Sequence, residues 1–264
     1  MLQAIKFLGT INADSKPIIL RASDDNAYVT KWKFRRRENR RLINEWIEAV
    51  VLRYMGINCP DIASVQVSAD IIRQNRSALQ AAFGLDYGNI RPGPVFASRI
   101  DESAVQVSNQ PPLEQITNLS DFHAALVVDV FLCQGDKRQA IFEKTAKGQY
   151  RAKMIDNANA LESTWWQLKT EANAVYADRN VYRDLTPPVL ERLIAKLQAM
   201  PRSVITNAVQ QIPAQWLEGE QGRLEHVMKK LWQRQRNMPF LMRRFLHGEH
   251  SDSFQQQLLA DFKN

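Results

Sequence analysis

Over the first hundred residues, apolar positions alternate in short runs that stop at turn residues. Residues 3–8 (QAIKFL) read as a strand. Gly9-Thr10 and Asp14-Ser15-Lys16-Pro17 mark turns, and residues 17–23 (PIILRAS) read as a second strand. The tight turn Asp24-Asp25-Asn26 leads into a third, 27–34 (AYVTKWKF), which completes an antiparallel meander. In that third strand the two-residue period puts Val29, Lys31 and Lys33 on one face and Tyr28, Thr30 and Trp32 on the other. The amine of Lys31 is therefore expected to be shielded at a cleft. From Asn39 the period becomes helical: Leu42, Ile43, Trp46, Ile47, Val50, Val51 and Tyr54 form one stripe, and Gly56 is the expected C-terminal cap. Glu45 borders the apolar face, where an acid needs a cation, and Lys31 on the preceding strand is the obvious candidate. A turn plus a strand within 57–68 (INCPDIASVQVS), a helix over 69–82 and a short strand from Val95 to Ile100 follow. Residues 101–115, with Pro111-Pro112, read as a linker, which divides the chain into an N-terminal lobe (1–110) and a mostly helical C-terminal lobe (111–264).

The second part is organised around residues 126–142, LVVDVFLCQGDKRQAIF. An apolar helix runs to Cys133 and breaks at Gln134-Gly135. Asp136, Lys137, Arg138 and Gln139 follow in succession, and the apolar pattern resumes at Ala140. A buried helix, a short polar loop and a buried strand can hold a carboxylate still. Strands at 140–145 and 149–155 form a hairpin around Lys147-Gly148, and a second carboxylate, Asp156, follows it. The two aspartates are expected to face one site. Arg138 has two readings: a phosphate ligand, or an ion-pair partner of Asp136. The chain then reads as loop to about Pro188, and as helices over 189–200, 202–212 and 222–246 with a further tail helix. The fold class implied is α+β.

Composition bounds the function classes. The 264 residues are 45% hydrophobic and 24% charged, as expected for a globular chain with a sizeable core. Two distant cysteines, Cys59 and Cys133, make no disulfide framework, and they read as packed thiols in a reducing, cytoplasmic protein. The N-terminus lacks a signal-peptide pattern, and no run reaches the roughly 18 apolar residues that span a membrane. The net charge of +7 comes largely from KWKFRRRENRR, residues 31–41. Basic residues beside aromatics can bind nucleic acid, although a lobe that handles phosphates explains the same charge. Among the histidines, His247 and His250 alone have metal-like spacing, in a polar tail.

The order strand lysine, helix glutamate, loop aspartate and aspartate after a hairpin matches kinase logic. The segments YVTKWK, RRLINEWIEAVVLRYMGINCP, PGPVFASRI, ITNLSDFHAALVVDVFLCQGDKRQAIF and YRAKMIDNANAL, with VYRDL and IPAQWL later, resemble the HipA-like kinases of the protein-kinase-like superfamily. The resemblance runs from about residue 5 to residue 245. It implies a two-lobed protein-kinase-like fold, with a small antiparallel sheet and one helix in the N-terminal lobe. It also implies ATP and Mg2+ as ligands and a hydroxyl, on protein Ser/Thr or on the protein itself, as phosphoryl acceptor. It makes Lys31 the phosphate-holding lysine, Glu45 its orienting partner, Asp136 the catalytic aspartate and Asp156 the metal ligand. The chain departs from the general kinase pattern in two ways. Ile141 stands where a metal-binding asparagine is expected, five residues after Asp136, which leaves Gln139 to supply an amide oxygen. The G-x-G-x-x-G loop is missing, which leaves Gly9 and Thr10, with Asn12 and Ser15, as candidate phosphate donors. These departures keep open the alternative of a catalytically inactive kinase-like binding module, and the basic run 31–41 keeps open that of a nucleic-acid-binding protein.

Overall fold

The computed structural model describes residues 1–13, 15–33, 37–168, 175–247 and 256. It is a mixed α+β structure built on two sheets and a helical body. Strands β1 (Leu2–Thr10), β2 (Ile18–Ala22) and β3 (Ala27–Lys31) form the expected antiparallel meander. The sheet does not stay open. Strands β4 (Ile62–Val67) and β5 (Gly93–Arg99) pair with each other, β5 pairs with β3, and β4 runs parallel to β1 at Leu2 and Gln3. The result is a closed five-stranded barrel rather than a small antiparallel sheet. Register breaks in β1 between Ala4 and Lys6 and between Phe7 and Gly9 bend that strand enough to meet both neighbours. Ile18, Leu20 and Ala22 alternate inward to meet Tyr28, Val65, Val67, Val95 and Ala97. Helices α2 (Ala69–Gln74) and α3 (Arg76–Phe83) add Ile71, Leu79 and Phe83 to the same cluster. The expected single helix over 69–82 is interrupted at Asn75, whose side-chain amide donates to the Ile71 carbonyl.

Helix α1 (Asn39–Tyr54) forms where its apolar stripe requires, and Gly56 follows it at φ +78°, a left-handed position that ends helices cheaply only in glycine. Its apolar side belongs to the second core cluster, together with α4 (Ser120–Leu132). Every residue of α4 from Phe122 to Leu132 is buried, so it is the axis of the helical body. Around it lie α5 (Pro187–Gln198), α8 (Gln221–Arg236) and α9 (Met238–His247), while α6 (Arg202–Gln210) and α7 (Ala214–Leu217) pack on α1. The long helical stretch expected from 222 to 246 divides at Asn237 because Pro239 has no N–H to donate and its ring clashes with the preceding turn.

The second sheet is β6 (Gln106–Val107), β7 (Gln139–Lys144) and β8 (Tyr150–Ile155), all antiparallel. β7 and β8 form the expected hairpin. β6 lies inside the stretch read as a linker, so that segment is partly structured. The residues after α1 extend this sheet: the Asn58 carbonyl accepts from Met154 N (2.9 Å), and its side chain donates to the Ala152 carbonyl (2.8 Å). Among the described residues no helix is long and apolar enough to cross a membrane. The expected tail helix lies, but for residue 256, outside the described residues.

Because α4 is buried all round, truncation there is expected to be expensive. Phe131→Ala should lower unfolding free energy by about 3–5 kcal/mol in a denaturant titration, whereas Leu85→Ala, at a fully exposed position, should leave the midpoint unchanged.

Candidate functional site

Helix α1 carries two carboxylates one turn apart on its buried side, Glu45 and Glu48. Each meets one cation. Lys31, the last residue of β3, reaches Glu45 Oε1 and also Asp156 Oδ1 (2.6 Å). Burial by itself would lower the lysine's pKa, but the two carboxylates outweigh it and hold the ammonium above its ordinary value. Burial raises the Glu45 carboxyl, with Lys31 opposing it. Glu45 Oε2 accepts from the backbone N–H of Asn157 (3.1 Å), which ties the helix directly to the residue after Asp156. The side chain of Asp156 is 30% exposed, the open end of this group. Gln139, first residue of β7 and opposite Ile155 in register, donates from Nε2 to Asp156 Oδ2 (3.0 Å). Lys31, Glu45, Gln139 and Asp156 are thus brought together.

Asp136 sits on the exposed loop between α4 and β7. Its Oδ1 accepts from Lys137 N (2.8 Å) and its Oδ2 lies 3.4 Å from Asn159 Nδ2. Gly135 N donates to the Asn159 carbonyl (3.0 Å), so the loop is tied to the turn that follows Asp156. Arg234, from α8, fixes the helix end that launches the loop: it donates to the carbonyls of Phe131 (2.8 Å) and Val130 (2.7 Å). These carbonyls belong to the last turn of α4, which lacks intrahelical donors.

The structure decides between the two readings of Arg138 by rejecting both. The side chain is 1% exposed and turns away from Asp136 into the body, where it bridges Glu48 of α1 and Asp129 of α4. It also donates to Asn157 Oδ1 (2.9 Å). Burial would lower the guanidinium's pKa, but Asp129 and Glu48 raise it well above its ordinary range. Burial pushes Glu48 up to about 8 and raises Asp129, against the pull of Arg138. Asp129 was visible as the interruption of an apolar run. Its partner nine residues on, and Glu48 on a distant helix, carry no local signal. Asn157 and Asn159 likewise carry no local signal.

A cavity of about 230 Å³ opens beside Lys31 and Glu45, lined also by Ser15, Lys16, Trp32 and Arg41. Gly9 and Thr10 do not line it. They lie at the end of β1 and face a different cavity, bounded by Ala78, Ala81 and Ala82 of α3. The turn between β1 and β2 therefore presents Ser15 and Lys16 to Lys31, and Lys16 is itself paired with Asp86 (3.1 Å). The basic run 31–41 is divided. Lys31 is engaged as above, and Arg40 is buried against Glu220 (2.7 Å) and over the Trp166 ring, while Arg35 and Arg36 lie outside the described residues.

The Lys31–Glu45–Asp156 group sets one cation against two carboxylates. The available donors are hard oxygens: the lone pairs of Asp156 not taken by Lys31 and Gln139, and the Gln139 amide oxygen. That set suits a dication which takes few protein ligands and completes its shell with phosphate oxygens and water. Among the described residues there is no group of three or more His, Cys, Asp and Glu able to cage a metal. Cys59 and Cys133 form no disulfide, and burial pushes Cys59 up to about 11, as expected of packed thiols. His123 is buried against the Val181 carbonyl, and His250 lies outside the described residues. Trp166 and Trp216 are core residues, whereas Trp165 is exposed.

Residues 9–243 match a family model described as HipA-like kinase. Searches of curated proteins and of solved structures found no match.

Since the Glu48 carboxyl titrates far higher in the folded chain than in the unfolded one, it favours folding at low pH and that contribution fades as pH rises toward about 8. Glu48→Gln, which cannot ionise, should lack this slope. The melting temperature of the wild type relative to Glu48→Gln is therefore expected to fall between pH 5 and pH 8 in thermal scans.

Proposed function

Because the chain belongs to the HipA-like kinase family, we propose that it transfers the γ-phosphoryl group of ATP to a hydroxyl, on a protein Ser/Thr or on itself. The observation that carries this reading is the convergence of Lys31, Glu45, Gln139 and Asp156, drawn from β3, α1, β7 and the turn after β8, with the Asp136 loop tied to the same turn. The proposed architecture is two-lobed: the barrel half, residues 1–110, over the helical half, residues 111–264. The separate apolar cluster inside the barrel supports that division, and α1 packs mainly on the helical half.

In this reading the phosphates lie by Lys31, whose ammonium is held in place by Glu45 and offers a point charge on a flexible stem. Ser15 and Lys16 take the phosphate-facing role first assigned to Gly9 and Thr10, because they share the cavity with Lys31. Asp156, with the Gln139 amide oxygen, would hold Mg2+, which supplies neutralisation of phosphate charge. The Asp136 carboxylate accepts the proton of the attacking hydroxyl as its oxygen bonds to the γ-phosphorus and ADP leaves. Most of the acceleration then comes from positioning and charge, which suits a site held by buried ion pairs. A second reading, nucleotide binding without transfer, draws on Ile141 at the usual amide position and on the engagement of both Asp156 oxygens by Lys31 and Gln139.

Melting temperature and intact mass with ATP and Mg2+ separate the readings. Transfer predicts stabilisation plus a phosphate added to the chain or to a test protein. Stabilisation alone favours the binding module, and no response refutes both. Asp136→Ala should lower transfer by about 100-fold or more while nucleotide stabilisation persists. Full transfer by Asp136→Ala would remove Asp136 from the mechanism.

A further inference from the structure

The transfer chemistry leaves Arg138 unused, although it is the point where the site-bearing segments meet. Asp156 has φ +60°, a left-handed conformation that side chains other than glycine adopt at a cost. Something must hold it there. Arg138 Nη1 donates to the carbonyl before Asp156, that of Ile155 (3.4 Å), and to the side-chain oxygen after it, Asn157 Oδ1 (2.9 Å). On the opposite side of Asn157, its backbone N–H donates to Glu45. The remaining guanidinium nitrogens are anchored to the helices: Nε to Asp129 Oδ2 (3.1 Å), and Nη2 to Asp129 and Glu48. Arg138 also stands two residues after Asp136 and immediately before Gln139.

We propose that Arg138 is the positioning residue of this site: it clasps the chain on both sides of Asp156, holds it in its left-handed conformation, and locks it in register with α1, α4 and the Asp136 loop. It acts through Asp156 and Asp136 and touches neither nucleotide nor acceptor. The planar fork is what the job requires, because separate nitrogens must serve the turn and the helices at fixed angles. A lysine keeps the charge but offers one point, so it can satisfy a carboxylate without holding the turn. The consequence for catalysis rests on the kinase reading, whereas the clasp itself does not.

The test uses the full chain as wild type, Arg138→Lys and Asn157→Ala. Asn157→Ala removes the shorter of the two contacts that Arg138 makes on the Asp156 turn and leaves the buried charges paired, so it remains informative if Arg138→Lys fails to fold. Hydrogen–deuterium exchange followed by mass spectrometry should show peptides covering 155–159 exchanging about tenfold faster in the variants, with β2 and β3 unchanged. Where the wild type transfers phosphate, kcat should fall about 10- to 100-fold, as for lost supporting contacts elsewhere, with the KM for ATP within about threefold. Unchanged exchange at 155–159 overturns the clasp. Faster exchange throughout the molecule, or faster local exchange with unchanged kcat, overturns the positioning role. A wild type that transfers no phosphate refutes the proposed function instead, and the exchange pattern alone then decides the clasp.

Discussion

Two carboxyl groups, Glu45 and Glu48, lie one turn apart on the buried side of α1, and each can ionise there only against a cation. Breaking one such buried pair costs about 3–5 kcal/mol, because the surviving charge is stranded away from water. The chain meets this demand from two directions. Lys31 arrives from the barrel, and Arg138 arrives from the loop after α4. Each cation also takes a second carboxylate, Asp156 or Asp129, so α1 becomes the junction through which barrel, hairpin and helical body are registered.

The asymmetry between the two groups gives the site its character. The Arg138 group is closed to solvent and shares its charge among Glu48, Asp129 and Asn157. The Lys31 group is open at Asp156. Buried, fully partnered charges fix geometry, while a partly exposed carboxylate can still exchange partners. Neutral contacts keep α1 in the same place: Asn44 Nδ2 lies within 3.0 Å of the carbonyls of Ala158, Ala160 and Ser163, and Trp46 donates to the carbonyl of Ala208 (3.0 Å). These ties run from α1 to segments more than a hundred residues away.

The same accounting changes the meaning of the basic run. On composition it is a candidate surface for nucleic acid. In the folded chain Lys31 and Arg40 neutralise buried acids, and Arg41 lines the cavity beside Lys31. Charge that looks like a property of the surface is partly internal compensation, so the basic run overstates what is free to meet a polyanion.

Much of the local order was legible because it depends on neighbours in sequence, although the helix breaks at Asn75 and Asn237 were not. The meander, the α1 helix with Gly56 after it, the β7–β8 hairpin and the pairing of Lys31 with Glu45 follow from periodicity and turn chemistry. So does the presence of Asp136 on a loop between buried elements. What the sequence could not decide is whatever requires distant segments to meet. Closure of the barrel depends on two residues of β1 finding β4, and no pattern in either strand announces it. Gly9 and Thr10 carry the donors expected of a phosphate loop, and only strand pairing decides that this end of β1 turns toward α3. Arg138 was misread for the same reason. Its nearest acid in sequence is Asp136, whereas its partners are Asp129 and Glu48, since a buried guanidinium gains most from carboxylates that are themselves out of water. Sequence determined which residue types were available and the local elements that carry them. The tertiary structure alone decided which charge is buried against which, because desolvation depends on everything packed around a group.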